Sequence, residues 1–181
     1  MRSFMAAMFL LGTAMPAFAA LPNGAVAPDF TAQATLGGHQ FTFSLADALK
    51  RGPVVLYFYP AAFTTGCTIE AHDFAQAVAH YKNLGATVIG VSGDDIQTLD
   101  RFSVSECQSK FAVVADPNRS VMKAYDSVLI PMTAYANRTS YVITPDDHVI
   151  YSYTALNPDQ HVANTTDALT AWRSAHPLPV Q

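Results

Sequence analysis

The chain has 181 residues, half of them hydrophobic and only 13% charged, with a formal net charge of −4. That length supports one domain with a real core but not comfortably two, and the composition excludes a disordered chain. The acidic balance, with no cluster of Lys and Arg, argues against nucleic acid as a partner; Lys50, Arg51, Arg101 and Lys110 read as solvated surface.

The chain opens MRSFMAAMFLLGTAMPAFAA, with one early cation at Arg2, an apolar stretch around Phe4–Leu11, and Ala17-Phe18-Ala19 after Pro16. This pattern predicts a secretory signal peptide over residues 1–19, cleaved after Ala19. The apolar run is short for a membrane span, and Gly12, Thr13 and Pro16 interrupt it. The mature chain, residues 20–181, is therefore expected to be exported and free of the membrane, and periplasmic in a bacterium with an outer membrane. In an oxidising compartment, Cys67 and Cys107 are expected to pair. The pairing is either a structural staple or a disulfide formed and broken in turnover.

LPNGAVAPDF is rich in Pro and Gly, and TAQATLGGHQFTF predicts a hairpin turning at Gly37-Gly38. Ser44 is placed to cap a short helix to about Lys50, ended by Gly52-Pro53. Residues 54–59, VVLYFY, are apolar on both faces, which predicts a buried central strand. From about Cys67 to Leu84, the residues Ile69, Phe74, Val78, Tyr81 and Leu84 recur at helical spacing, and Gly85 provides the stop. ATVIGV over 86–91 predicts a second buried strand. Ser92-Gly93-Asp94-Asp95 then caps a helix expected to run to about Ser109 and to carry Cys107. FAVVA over 111–115 predicts a third strand, closed by Asp116-Pro117-Asn118, with a short helix near 120–125 and an irregular segment around Pro131. Strands over 139–143 and 149–153 flank Pro145-Asp146-Asp147, and a last helix starts at Asp159 or Thr165 and ends near Ala175. There is no repeat and no low-complexity linker. The order predicts one α/β domain, a thioredoxin-like three-layer sandwich with a central mixed β-sheet, although the pattern alone also fits other α/β sandwiches.

The stretch YFYPAAFTTGCTIEAHDF places a single cysteine after a buried strand, at the mouth of a helix. Thiolate, not thiol, is the nucleophile, and a helix N-terminus favours it with free N–H groups and the positive dipole end. A lowered thiol pKa alone yields only a few-fold in rate, because nucleophilicity falls with basicity. Fast chemistry at Cys67 therefore needs groups that orient the electrophile and stabilise its leaving group. Thr64, one turn before the sulfur, can bring its hydroxyl into the same pocket, and Pro60 ends the strand and shields the sulfur from water.

FYPAAFTTGCTIEAHDF resembles the peroxidatic motif of peroxiredoxins, most of all the Q-type (bacterioferritin-comigratory) branch. VAPDF, VIGVSGDD, KFAVVADPN and NRTSYVITPDDHVI extend the resemblance over nearly all of the mature chain. It implies a thioredoxin fold and thiol-dependent reduction of hydroperoxides, with no metal or organic cofactor. On this resemblance Cys67 is the peroxidatic cysteine, with Thr64 and Pro60 as motif partners. Arg138 is the arginine that contacts sulfur and peroxide, and Glu70 is the acid that orients it. The implied reductant is a thioredoxin-like protein or another thiol; monomer and dimer both remain open, as does the preferred peroxide.

The chain departs from the pattern at His72, where many Q-type members carry a resolving cysteine five residues after the peroxidatic one. Cys107 resembles the other Q-type arrangement, in which the resolving thiol lies on a later helix. Resolution by an external thiol or by an intersubunit disulfide stays open. Two further readings compete. A thiol–disulfide oxidoreductase would want C-x-x-C, which Cys67-Thr68-Ile69-Glu70 lacks, and a catalytically inert binding domain stapled by Cys67–Cys107 uses no nucleophile. A copper chaperone would use His148 or His161 as a distal ligand but lacks the second nearby thiol; His39, His80 and His176 read as surface.

Overall fold

A computed structural model describes residues 20–130, 133 and 135–178; the expected signal peptide lies outside the described residues. Seven strands, β1 (Thr31–Leu36), β2 (His39–Ser44), β3 (Val54–Phe58), β4 (Thr87–Ser92), β5 (Ala112–Ala115), β6 (Thr139–Ile143) and β7 (Val149–Thr154), form one sheet in the order β2-β1-β5-β4-β3-β6-β7. β3, β4 and β5 run parallel, and the pairs at either side are antiparallel, so the sheet is mixed as expected. The helices are α1 (Leu45–Leu49), α2 (Thr65–Asn83), α3 (Ile96–Ser105), α4 (Ser120–Ala124) and α5 (His161–Ala175). None of the described helices is long and apolar enough to cross a membrane.

The three layers follow from the two-residue period of the strands. Along β3, Val54, Leu56 and Phe58 face a core built with Leu45 and Leu49 of α1 and with Val121 and Met122 of α4. Val55 and Tyr57 of the same strand, with Tyr59 just beyond it, face a second core built with α2, α3 and α5, through Phe74, Phe102 and Leu169 among others. A strand with both faces covered must be apolar throughout, and every residue of β3 is buried. Ser44 caps α1 as expected, its Oγ accepting from the Asp47 N–H at 3.2 Å.

Two local differences from the sequence reading matter for the site. The helix expected to reach Ser109 stops at Ser105, because Gln108 and Ser109 both take left-handed backbone (φ 52° and 55°) and fold the chain into a turn. Cys107 therefore lies beyond α3, with its N–H donating to the Phe102 carbonyl at 3.1 Å, and not on the helix. Of the acids before α3, Asp95 is the cap, accepting from the Thr98 N–H at 2.7 Å. Asp94 turns the other way, and its Oδ2 accepts from the Ala62 N–H and the Ser92 hydroxyl, each at 2.8 Å.

The register of the sheet brings the distant Arg138 to the start of α2. Phe58 at the end of β3 pairs with Thr139 at the start of β6, so the residue before Thr139 stands where β3 gives way to the Pro60–Thr64 loop. The floor beneath α2 is aromatic: the Tyr57 ring stacks on Phe74 of α2 with centroids 4.3 Å apart. Gly90 of β4 makes room for that ring, since a Cβ there would lie 2.9 Å from the Tyr57 ring atoms. Gly90→Ala is expected to cost about 2 kcal/mol of stability through overpacking, read as a lower urea midpoint at unchanged m-value. A loss below about 0.5 kcal/mol would show that the ring yields freely.

Candidate active site

Cys67 is the third residue of α2, where the first N–H groups of a helix have no intrahelical acceptor. The first closed turn is the Thr68 N–H to the Thr64 carbonyl at 2.9 Å, which makes Thr64 the N-cap. The loop before it is held by Asp94 on the Ala62 N–H, and Phe63 adopts a left-handed backbone (φ 63°) with its ring edge-on to Phe102 at 5.3 Å. For a bulky residue that backbone costs on the order of 1 kcal/mol, offset here by the tether and the ring contact.

The buried Cys67 sulfur receives a hydrogen bond from Arg138 Nη2 at 3.4 Å. Arg138 Nη1 donates to Glu70 Oε2, and Arg138 Nε donates to the Leu156 carbonyl at 2.9 Å. One guanidinium, itself buried, thus joins α2 twice and the loop after β7 once. Gly66 makes this approach feasible, because a Cβ at that position would stand 3.1 Å from Arg138 Nη2. Glu70, fully buried, lies one turn after Cys67 on the face turned to the sheet. Burial pushes its carboxyl up to about 8, against the opposing charge and hydrogen bond of Arg138.

Of the sequence-predicted site residues, the structure brings Cys67, Arg138 and Glu70 into direct contact. Pro60 stands half-buried at the end of β3. Thr64 is exposed, and its hydroxyl donates to the Ala61 carbonyl at 3.1 Å rather than to the sulfur. Cys107 is fully buried, and burial, reinforced by the neighbouring charge of Glu106, pushes its thiol well above the ordinary range. Both cysteines are free thiols, and both belong to the core cluster that contains Tyr57, Tyr59 and Phe102. His72, at the position of the absent local cysteine, meets Glu106 instead, Nε2 to Oε2 at 2.9 Å.

Three contributors escaped the sequence reading. Gly66 carried only the signal of a glycine in a first helical turn, and Asp94 looked like one of several caps. His161, weighed only as a distal metal ligand, opens α5 fully buried with its Nδ1 3.7 Å from Glu70 Oε1. Nothing in its local sequence announces that contact, since His161 and Glu70 meet only through the packing of α5 on α2 and β6.

A family model described as AhpC/TSA matches residues 23–152. A Triticum aestivum protein named "Peroxiredoxin Q, chloroplastic" is 35% identical over 144 residues, covering 79% of this chain and 64% of that protein. An Oryza sativa subsp. japonica protein of the same name is 32% identical over 172 residues, 87% of this chain and 77% of that one. Among solved structures, peroxidoxin BcpB from Mycobacterium tuberculosis aligns with a TM-score of 0.75 at 26% identity, over 82% of this chain and 96% of that one.

The two thiols should differ sharply in reactivity. In the reduced native protein at pH 7, iodoacetamide is expected to modify Cys67 at least about tenfold faster than Cys107, read by peptide mass spectrometry. In urea above the unfolding midpoint the two rates should converge. Equal rates in the native protein would show that Cys107 is not the closed-off thiol described above.

Proposed function

We propose that this chain, which belongs to the AhpC/TSA family, is a thiol-dependent peroxidase that reduces hydrogen peroxide or organic hydroperoxides at Cys67. The observation that carries the reading is the Arg138 contact on the Cys67 sulfur, with Glu70 behind the guanidinium, at the mouth of α2.

In the first step the Cys67 thiolate attacks one peroxide oxygen in line, forming the S–O bond as the O–O bond breaks. The sulfur loses two electrons, and the departing oxygen takes them and one proton to leave as water or alcohol. Cys67 becomes a sulfenic acid. Negative charge shifts from sulfur to the departing oxygen, so the useful donors are those fixed near both. Arg138 supplies a permanent charge there, and the first-turn amides of α2 supply a dipole. Thr64 joins by releasing the Ala61 carbonyl and turning its hydroxyl toward the bound peroxide, while Pro60 keeps water from the sulfur.

In the second step the Cys107 thiol condenses with the sulfenic acid, forming the disulfide and releasing water. Both thiols start buried, and Cys67 is engaged by Arg138, so the first turn of α2 or the turn after α3 must open first. A dithiol reductant of the thioredoxin kind then takes the disulfide's place and returns both cysteines to thiols. The chemistry needs no metal or organic cofactor. The reading of the opening residues as a signal peptide cleaved after Ala19 supports export from the cytoplasm, into the periplasm of a bacterium with an outer membrane. A second reading, a thiol–disulfide oxidoreductase, has no specific observation in its favour, because Cys67 faces an arginine and not a second thiol.

Stoichiometric hydrogen peroxide added to the reduced mature protein should convert Cys67 to sulfenic acid within seconds, followed by a monomeric Cys67–Cys107 disulfide. Cys67→Ser should abolish the reaction. Cys107→Ser should keep the first turnover and trap Cys67 as sulfenic or sulfinic acid, read by intact and peptide mass spectrometry. Slow oxidation spread over both cysteines would overturn the peroxidase reading, and a mixed disulfide between chains would overturn intrachain resolution. Arg138→Met should lower the second-order rate constant by about 100-fold or more, the scale seen for a lost oxyanion donor. Expression of the full chain in a bacterium with an outer membrane should yield a periplasmic product beginning at Ala20; a cytoplasmic product retaining Met1 would overturn the export reading.

A further inference from the structure

β5 begins late, and that leaves a notch at one end of the sheet. Its first pairing with β4 sets Ala112 opposite Ile89, so Thr87 and Val88 at the start of β4 have no strand on that side. β1 pairs with β5 only at Ala34 and Thr35, and Leu36 runs on past it. The result is a cleft of about 260 Å³, whose floor takes Phe43 and Ile89 from one core and Val78 and Phe111 from the other. Leu36 and Phe41 of the hairpin also line it and stay 40% and 41% exposed, so its open side is apolar too.

The same cleft is lined by Arg51, which follows α1, by Lys82 in the last turn of α2, and by Lys110, which precedes β5; no Asp or Glu lines it. Arg51 and Lys110 read in the sequence as separate solvated cations, and the fold brings them together with Lys82. Among the described residues, none of the three side chains forms a hydrogen bond or an ion pair within the protein. Asp47, the acid nearest to Arg51 along the chain, is bonded to Lys50 at 2.8 Å. Three unpaired like charges around an apolar hollow repel one another, and one anion set among them offsets all three. A polyanion would meet these cations and leave Leu36 and Phe41 in water. A neutral apolar molecule would fill the hollow and leave the charges as they are. A ligand with one anionic head and one alkyl chain satisfies both. At the roughly 30 Å³ that a water-sized group occupies, the cleft has room for about eight methylene groups.

We propose that this cleft binds a medium-chain fatty carboxylate, its alkyl chain against Leu36, Phe41 and Phe111 and its carboxylate among Arg51, Lys82 and Lys110. The site is separate from the thiol chemistry. Cys67 and Lys82 lie at opposite ends of α2, about 22 Å apart along its axis. The proposal therefore stands or falls independently of the peroxidase reading.

Octanoate titrated calorimetrically into the purified protein, below its micelle concentration, should bind one-to-one, and added salt should weaken it. 1-Octanol, with the chain and no charge, and acetate, with the charge and no chain, should each bind at least about tenfold more weakly. The double variant Lys82→Gln, Lys110→Gln should weaken octanoate about tenfold and leave octanol unchanged, while Phe41→Thr should weaken both; thermal melts confirm that each variant is folded. In amide proton–nitrogen spectra, octanoate should shift Leu36, Phe41, Lys82, Val88 and Lys110 and leave Cys67 in place. Absence of saturable octanoate binding would overturn the proposal, as would shifts centred on Cys67. Octanol binding as tightly as octanoate, with no effect of the lysine substitutions, would reduce the cleft to an apolar hollow without anion recognition and overturn it too. Co-sedimentation with phosphatidylglycerol vesicles by a protein that ignores octanoate would assign the surface to a membrane instead.

Discussion

The site depends on one buried guanidinium with more claimants than charge. Arg138 gives one hydrogen bond to a sulfur, one to a carboxyl and one to the Leu156 carbonyl. Taking that charge out of water carries a large desolvation penalty, and removing any single partner would leave it poorly compensated. The surrounding fold answers that constraint. β6 must start opposite the end of β3 to bring Arg138 to α2, Gly66 must lack a side chain to admit it, and the segment after β7 must return to present Leu156. The rigidity suits the chemistry, because a donor already fixed where charge develops needs no reorganisation as the O–O bond breaks.

The fold was largely legible because period and punctuation agree along most of the chain. The fully apolar β3, the 3.6-residue repeat of α2 and the Gly37-Gly38 hairpin each carry one signal with one reading. The hairpin, the central strands and α2 all appear where their patterns place them. The failure at α3 has a physical reason. FSVSECQSK has no glycine or proline to mark a stop, and the termination is made by Gln108 and Ser109 in left-handed backbone, residues with no strong preference for it. Losing that turn from the reading put Cys107 on a helix, whereas the turn buries the thiol beneath Phe102 and Phe111 in the common core.

The site was legible to the depth at which residues speak through a local motif. Pro60, Thr64 and Cys67 lie within one loop and one helical turn, and their spacing predicted a shared pocket, although the Thr64 hydroxyl is bonded to the Ala61 carbonyl instead. Arg138 was reachable only through family resemblance, since nothing local to Asn137-Arg138-Thr139 points at a sulfur in α2. His161 and Asp94 were out of reach because each acts through a tertiary contact: one through α5 packing over Glu70, the other through a backbone N–H of the preceding strand's loop. An aspartate that caps and an aspartate that tethers look the same in sequence. Only the direction of the side chain separates Asp95 from Asp94.

His72 lies five residues after Cys67 on α2. A resolving cysteine at that position would sit on the same helix as Cys67, and resolution would need only α2 to unwind. Here that position instead carries an imidazole bonded to Glu106, the residue next to Cys107. The side chain that takes the place of a local partner thus reaches the segment that holds the distant one. The opening that frees Cys67 and the opening that frees Cys107 share this contact, half-exposed and small enough to break at little cost. Deep burial keeps Cys107 protonated and unreactive while the fold is closed. On the proposed cycle, oxidation of Cys67 belongs to the closed, Arg138-bound state, and Cys107 becomes competent only after the contact between α2 and the turn following α3 has parted.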